Sequence, residues 1–111
     1  MCDVVDHPDG APKTSEAAFK TTAAATAYFK AKLPTFLFIH LDHGVPAGHK
    51  DGWMTEPYEF AVSEADRMLG QIVAAVDEAG ATDDTIILFT ADHGGLDKKH
   101  GVFSLQELEI P

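Results

Sequence analysis

Residues 85–101 restrict what this chain can fold into more than any other stretch. They begin with Thr85, Ile86, Ile87, Leu88, Phe89 and Thr90, pass Ala91 to Asp92, His93, Gly94 and Gly95, and reach a second His-Gly at His100 and Gly101. The opening run is apolar and β-branched, the composition of a strand buried on both faces. It ends abruptly at Asp92 and His93, and both side chains can bind metals. Adjacent residues of a regular strand point to opposite faces, so the two converge on one ion only where the backbone leaves the strand. Gly94 and Gly95 permit that departure.

The remaining sequence supplies a frame for this stretch. Residues 1–13 are rich in Asp, Pro and Gly without a period and read as an irregular lead-in; residues 14–111 form the domain. A helix is expected over residues 15–33, with Thr14 or Ser15 as N-cap, Glu16 behind it, and Ala18, Ala25, Phe29 and Leu33 on one face. Pro34 closes it, and residues 35–41 form a second apolar run, again expected to be a buried strand that takes His40 into packing. Residues 42–51 hold Asp42, His43, Gly44, Pro46, Gly48 and His49 and read as a loop rich in candidate ligands. A second helix follows. Thr55 caps it, Pro57 sits in its first turn, and Tyr58, Ala61, Val62, Ala65, Leu69, Ile72, Val73 and Val76 form its apolar stripe up to Gly80. Asp66 and Gly70 on this helix are expected to pack or hydrogen-bond. Residues 102–111 leave room for a short helical turn.

Strand, helix and strand make a βαβ unit with a parallel sheet. That topology sets residues 42–49 and 92–100 at the carboxyl end of the sheet, where open α/β folds bind ligands. His49 and His100 thereby join Asp92 and His93 as candidate metal ligands. His7 stays in the lead-in, and Lys98 and Lys99 read as solvated surface that could also meet an anion beside His100.

Composition bounds the function. A chain of 111 residues, 45% hydrophobic, is one domain with a modest core. Its net charge of -10, from 18 acidic and 8 basic side chains, excludes a nucleic-acid surface built on clustered Lys and Arg. Any anionic substrate would therefore need bound cations to attract it. Cys2 is the one cysteine, so neither an internal disulfide nor a thiolate cluster can form. No apolar run approaches the ~20 residues of a membrane span, and the polar amino terminus is not a signal sequence, which leaves the compartment unassigned.

These motifs resemble the carboxyl-terminal part of the metal-binding core of the alkaline phosphatase superfamily, in particular its type I phosphodiesterase/nucleotide pyrophosphatase-like hydrolases. The resemblance runs from about Lys30 to Pro111. It is carried by Phe-Ile-His-Leu-Asp, Ala-Gly-His-Lys-Asp-Gly-Trp, Ala65-Asp66 to Gly70, Asp-Asp-Thr-Ile-Ile-Leu-Phe-Thr-Ala-Asp-His-Gly-Gly, and His-Gly with Glu-Ile-Pro after it. It implies an α/β fold with part of a parallel sheet, and metal-dependent hydrolysis of phosphate esters by two divalent ions, usually zinc. Asp92 and His93 would serve the ion that activates a Thr or Ser nucleophile, and His49 and His100 the second ion. Two departures accompany it. Val45 stands where the family places a metal-binding Asp, with Asp42 and His43 as the nearby substitutes. The family's nucleophile lies upstream of the matched region, and Thr21, Thr22 and Thr26 have no motif around them. The expectation is a chain inactive by itself, which associates with a copy of itself or with a missing half. A non-catalytic interaction module and a sulfatase-type hydrolase are the alternatives.

Overall fold

The structure is a computed structural model and describes residues 2–5, 14–101 and 104–108. In chain order it contains β1 (Cys2–Val5), α1 (Ser15–Lys32), β2 (Phe36–Ile39), α2 (Gly44–Asp51), α3 (Glu56–Glu78), a 3-10 turn (Thr82–Asp84) and α4 (Leu105–Leu108). Helices α1 and α3 pack on each other and make the core.

Local chemistry sets the bounds of α1. The Thr14 hydroxyl accepts the Ala17 N–H at 3.2 Å, and Glu16 and the pair Lys30 and Lys32 lie at the ends that the helix dipole favours for each charge. Leu33 stops the helix in the left-handed region at φ 45°, with its N–H on the Phe29 carbonyl. The face toward α3 is made of small residues: Ala18, Thr21, Thr22 and Ala25 are buried. Thr22 satisfies its hydroxyl on the Ala18 carbonyl at 3.0 Å, so it packs without an orphaned donor.

Helix α3 answers with Tyr58, Ala61, Glu64, Met68, Ala75 and Val76. Met68 is fully buried. The Glu64 carboxylate accepts the Ser15 hydroxyl, which joins the start of α1 to the middle of α3. The expected stripe holds at Tyr58, Ala61 and Val76, but Val73 is half exposed, and Glu64, Met68 and Ala75 take its place in the core. Asp66 and Gly70 are exposed instead of packed.

The strands differ from expectation in four ways. Within the stretch read as an irregular lead-in, Cys2–Val5 is a strand, parallel to β2, with Cys2 opposite Phe36 and Val5 opposite Ile39; residues 6–13 and His7 lie outside the described residues. The crossover between these two parallel strands is therefore α1, not α3. Second, β2 spans only part of residues 35–41 and leaves Phe36, Phe38 and His40 exposed, with His40 stacked on Phe38 at 6.4 Å between centroids. Third, residues 85–90 join no ladder among the described residues, and Ile86 and Leu88 are 96% and 86% exposed. An apolar β-branched run has strand propensity, yet a strand exists only where a partner completes its hydrogen bonds. Fourth, the expected loop at residues 42–51 is mostly helix, as α2. Pro46 fits there because the first N–H groups of a helix have no intrahelical acceptor to lose.

The expected helical turn before the carboxyl end is present as α4. Among the described residues no helix is long and apolar enough to cross a membrane.

Candidate metal centre

Two segments remote in sequence build the site: α2 with the residues just after it, and residues 92–100. His43 anchors the first. It is buried at the head of α2, and its Nε2–H donates to the Ala61 carbonyl at 2.9 Å, fixing α2 to α3. One helical turn later Gly48 faces Trp53, and α2 ends at Gly52, whose φ of 109° suits glycine alone. The Thr55 hydroxyl does not cap α3 as expected but donates to the Gly52 carbonyl at 2.7 Å, bracing the turn that holds Trp53.

The second segment folds on itself. Leu96 and Lys99 exchange both backbone hydrogen bonds at 3.0 Å around Asp97, a non-glycine residue at φ 53°. This hairpin presents consecutive carbonyls to the first segment. Asp97 accepts the Trp53 N–H at 2.7 Å, and Lys98 accepts His49 Nδ1–H at 3.1 Å. The Lys98 ammonium, expected to be solvated, donates to the Lys50 carbonyl at 2.6 Å. The Gly94 N–H in turn donates to the Glu107 carbonyl of α4 at 2.9 Å.

These bonds gather three imidazoles. His93 and His100 stack with centroids 4.1 Å apart and planes inclined at 27°. His49 lies 5.0 Å from His100 at 54°. Among the described residues Asp92 reaches only its neighbour: its Oδ1 accepts the His93 N–H at 3.1 Å, its Oδ2 lies 3.5 Å from His93 Nε2, and its side chain is 84% exposed. Of the four residues singled out from the sequence, His49, His93 and His100 cluster together and Asp92 stands at the edge beside His93. Val45 lies in the first turn of α2, and His43, one of its two suggested substitutes, is turned into the core.

The donor chemistry suits a divalent cation. His49 Nδ1 and His93 Nδ1 each face a backbone carbonyl, Lys98 at 3.1 Å and Gly94 at 2.6 Å, so each nitrogen carries the proton. In the neutral ring the lone pair then sits on Nε2, the tautomer that carbonyl-supported histidine ligands adopt. The geometry is that of an open arrangement: among the described residues no three His, Cys, Asp or Glu side chains converge on one point as a metal cage.

Trp53 is the residue that sequence reasoning left without a role. Its indole lies edge-on to His49 at 5.0 Å and 6.0 Å from His100, with the Tyr58 ring at 6.2 Å. Burial pushes the Tyr58 hydroxyl above its ordinary phenolic range. The signal was present in the glycines at positions 48, 52 and 95, two of which border this indole.

The chain is 41% identical to arylsulfatase K of Danio rerio over 46 residues, which are 41% of this chain and 9% of that protein. It is 35% identical to steryl-sulfatase of Mus musculus over 60 residues, 54% of this chain and 10% of that protein. It is 46% identical to the multifunctional alkaline phosphatase superfamily protein PehA of Trinickia caryophylli over 41 residues, 37% of this chain and 8% of that protein. The matched segments thus span at most 10% of these relatives. No solved structure matches. The family model for type I phosphodiesterase / nucleotide pyrophosphatase matches residues 5–109, beginning well before Lys30, where the resemblance was expected to start. With nearly all of its length inside that match, the chain belongs to the type I phosphodiesterase/nucleotide pyrophosphatase family of the alkaline phosphatase superfamily.

Proposed function

We propose that this chain carries part of the metal-binding centre of a hydrolase acting on phosphate esters. The observation that carries the reading is the gathering of His49, His93 and His100, from segments more than forty residues apart, with Nδ1 of two of them engaged by carbonyls. Asp92 and His93 would hold one ion and His49 and His100 the second, and the chemistry of imidazole with carboxylate suits zinc. When bound, such ions supply the positive charge that draws an anionic ester to an acidic chain and stabilises charge on the attacking and leaving oxygens. The chain's own part is to orient the imidazoles through the carbonyls of Gly94 and Lys98. The threonines of α1 serve the fold: Thr21 and Thr22 are buried, and Thr22 and Thr26 bond to carbonyls of their own helix. None of these three is a nucleophile, and the chain by itself is inactive.

Equilibrium dialysis against zinc tests this. Purified chain is expected to hold zinc, and Asp92→Ala or His93→Ala to weaken the retention by about 10-fold or more. Zinc that washes out of the wild-type chain as readily as from a chain carrying all three His→Ala changes overturns the reading. Turnover of bis(p-nitrophenyl) phosphate by the isolated chain, abolished in Asp92→Ala, would overturn its inactivity. A second reading, sulfate-ester hydrolysis, is favoured by the two relatives named as sulfatases. Preferential turnover of p-nitrophenyl sulfate would select it.

A further inference from the structure

We propose that Trp53 is a positioning residue that fixes the separation of the two histidine-bearing segments, and so the spacing of the three imidazoles. The proposal rests on the metal-site reading for its purpose but on packing for its substance. Trp53 is 9% exposed, and each half of the site closes on its indole. A Cβ at Gly48, on α2, would come within 2.7 Å of the ring, and one at Gly95, on the segment after His93, would come closer still. Both approaches reach the ring atoms Cδ2 and Cε2, so the backbones of the two segments meet the indole at its fused bond.

The approach of Gly48 puts the indole one residue from His49. The approach of Gly95 puts it two residues from His93. His100 lies 6.0 Å from the same ring, inclined at 77°. The Trp53 N–H also donates to the Asp97 carbonyl at 2.7 Å, while the adjacent Lys98 carbonyl takes His49 Nδ1–H. The backbone of Trp53 therefore docks the hairpin that orients His49, and its side chain sets how closely that hairpin approaches α2. A smaller side chain leaves the two segments without a common wall, and side chains in cores tolerate such gaps only by shifting. Glycine at both positions is required by the ring, not by backbone conformation: neither Gly48 nor Gly95 has a positive φ.

The test separates positioning from metal binding. In the metal-free chain, nuclear Overhauser effects between His49 and His100 ring protons read their 5.0 Å approach directly. Trp53→Leu is expected to abolish these effects while helical circular dichroism and a cooperative melt remain, and to lower zinc affinity about 10–100-fold. Trp53→Phe is expected to restore most of both. Gly95→Ala, which displaces the indole while keeping it, is expected to reproduce the loss and stands in should Trp53→Leu fail to fold. An undiminished Overhauser effect between His49 and His100 in a folded Trp53→Leu or Gly95→Ala chain overturns the proposal. If the effect disappears in these variants while the wild type binds no zinc, positioning is supported and the metal reading alone fails.

Discussion

At the scale of single residues, the ligand-type side chains were legible and their supports were not. His49, His93 and His100 stand out in sequence because imidazoles beside glycines on loop-like segments are chemically conspicuous. Their juxtaposition was expected from a sheet pairing residues 35–41 with 85–90, and that pairing is not formed among the described residues. They meet instead because the hairpin at Leu96 and Lys99 docks on Trp53 and His49 through its carbonyls. Backbone acceptors have no signature in sequence. The same buried corner makes a pH prediction. Burial raises the Tyr58 hydroxyl above its usual value of about 10. Above that value the unfolded chain releases the phenolic proton first, so stability falls as pH rises from about 10 through the raised folded value, and is untouched below it. The melting temperature of the wild type is therefore expected to drop more steeply above pH ~10 than that of Tyr58→Phe, which keeps the ring without the ionising group. Identical alkaline slopes in the two chains would show that the Tyr58 hydroxyl is hydrated in the folded state.

At the scale of elements, α1 and α3 were legible because Thr14 caps α1, Pro57 and Gly80 bound α3, and a long 3.6-residue pattern runs through each, although Leu33, expected on the buried face of α1, is its exposed left-handed C-cap. Helix α2 was not. Gly44, Pro46 and Gly48 disfavour an isolated helix, and α2 is held by tertiary interactions: the His43 bond to Ala61 and the indole against Gly48. Residues 85–90 fail in the opposite direction, with strong strand propensity and no ladder among the described residues. The apolar stripe through Leu69 and Val73 is rotated from the buried line of Ala61, Glu64, Met68 and Ala75. Met68 is the largest fully buried side chain among the described residues. Met68→Ala is accordingly expected to cost about 2–5 kcal/mol, whereas Val73→Ala, on the half-exposed flank, falls within about 1 kcal/mol. Chemical denaturation of the two variants checks the order. A larger loss at Val73 would mean that α3 is rotated about its axis relative to α1.

At the scale of the whole molecule, the apolar runs that read as buried strands lie on the surface. Phe36, Phe38, Ile86, Leu88 and Phe89 are all more than half exposed, and the radius of gyration is 15.1 Å, where a chain of about 100 residues packs to about 13 Å. Residues 85–90, with backbone groups outside any ladder among the described residues, form the kind of apolar edge that sheet proteins normally pair or cover. Opposing that tendency is the net charge of -10, which keeps copies apart over a Debye length of about 10 Å at 0.1 M salt. The balance predicts a salt dependence. Raising salt to about 0.5 M shortens the screening length and leaves the apolar attraction intact, so the sedimentation coefficient is expected to rise with salt. The double change Ile86→Lys and Leu88→Lys should remove that rise. Two added positive charges on an acidic chain weaken the repulsion between copies, so a loss of association in this variant has to come from the missing apolar surface. Because both side chains are already solvent-exposed, the stability should stay within the change of about 0.5 kcal/mol typical of surface substitutions. A double variant that melts much earlier would show that residues 85–90 are packed in solution, and a salt-driven rise that survives it would move the sticky surface to Phe36 and Phe38.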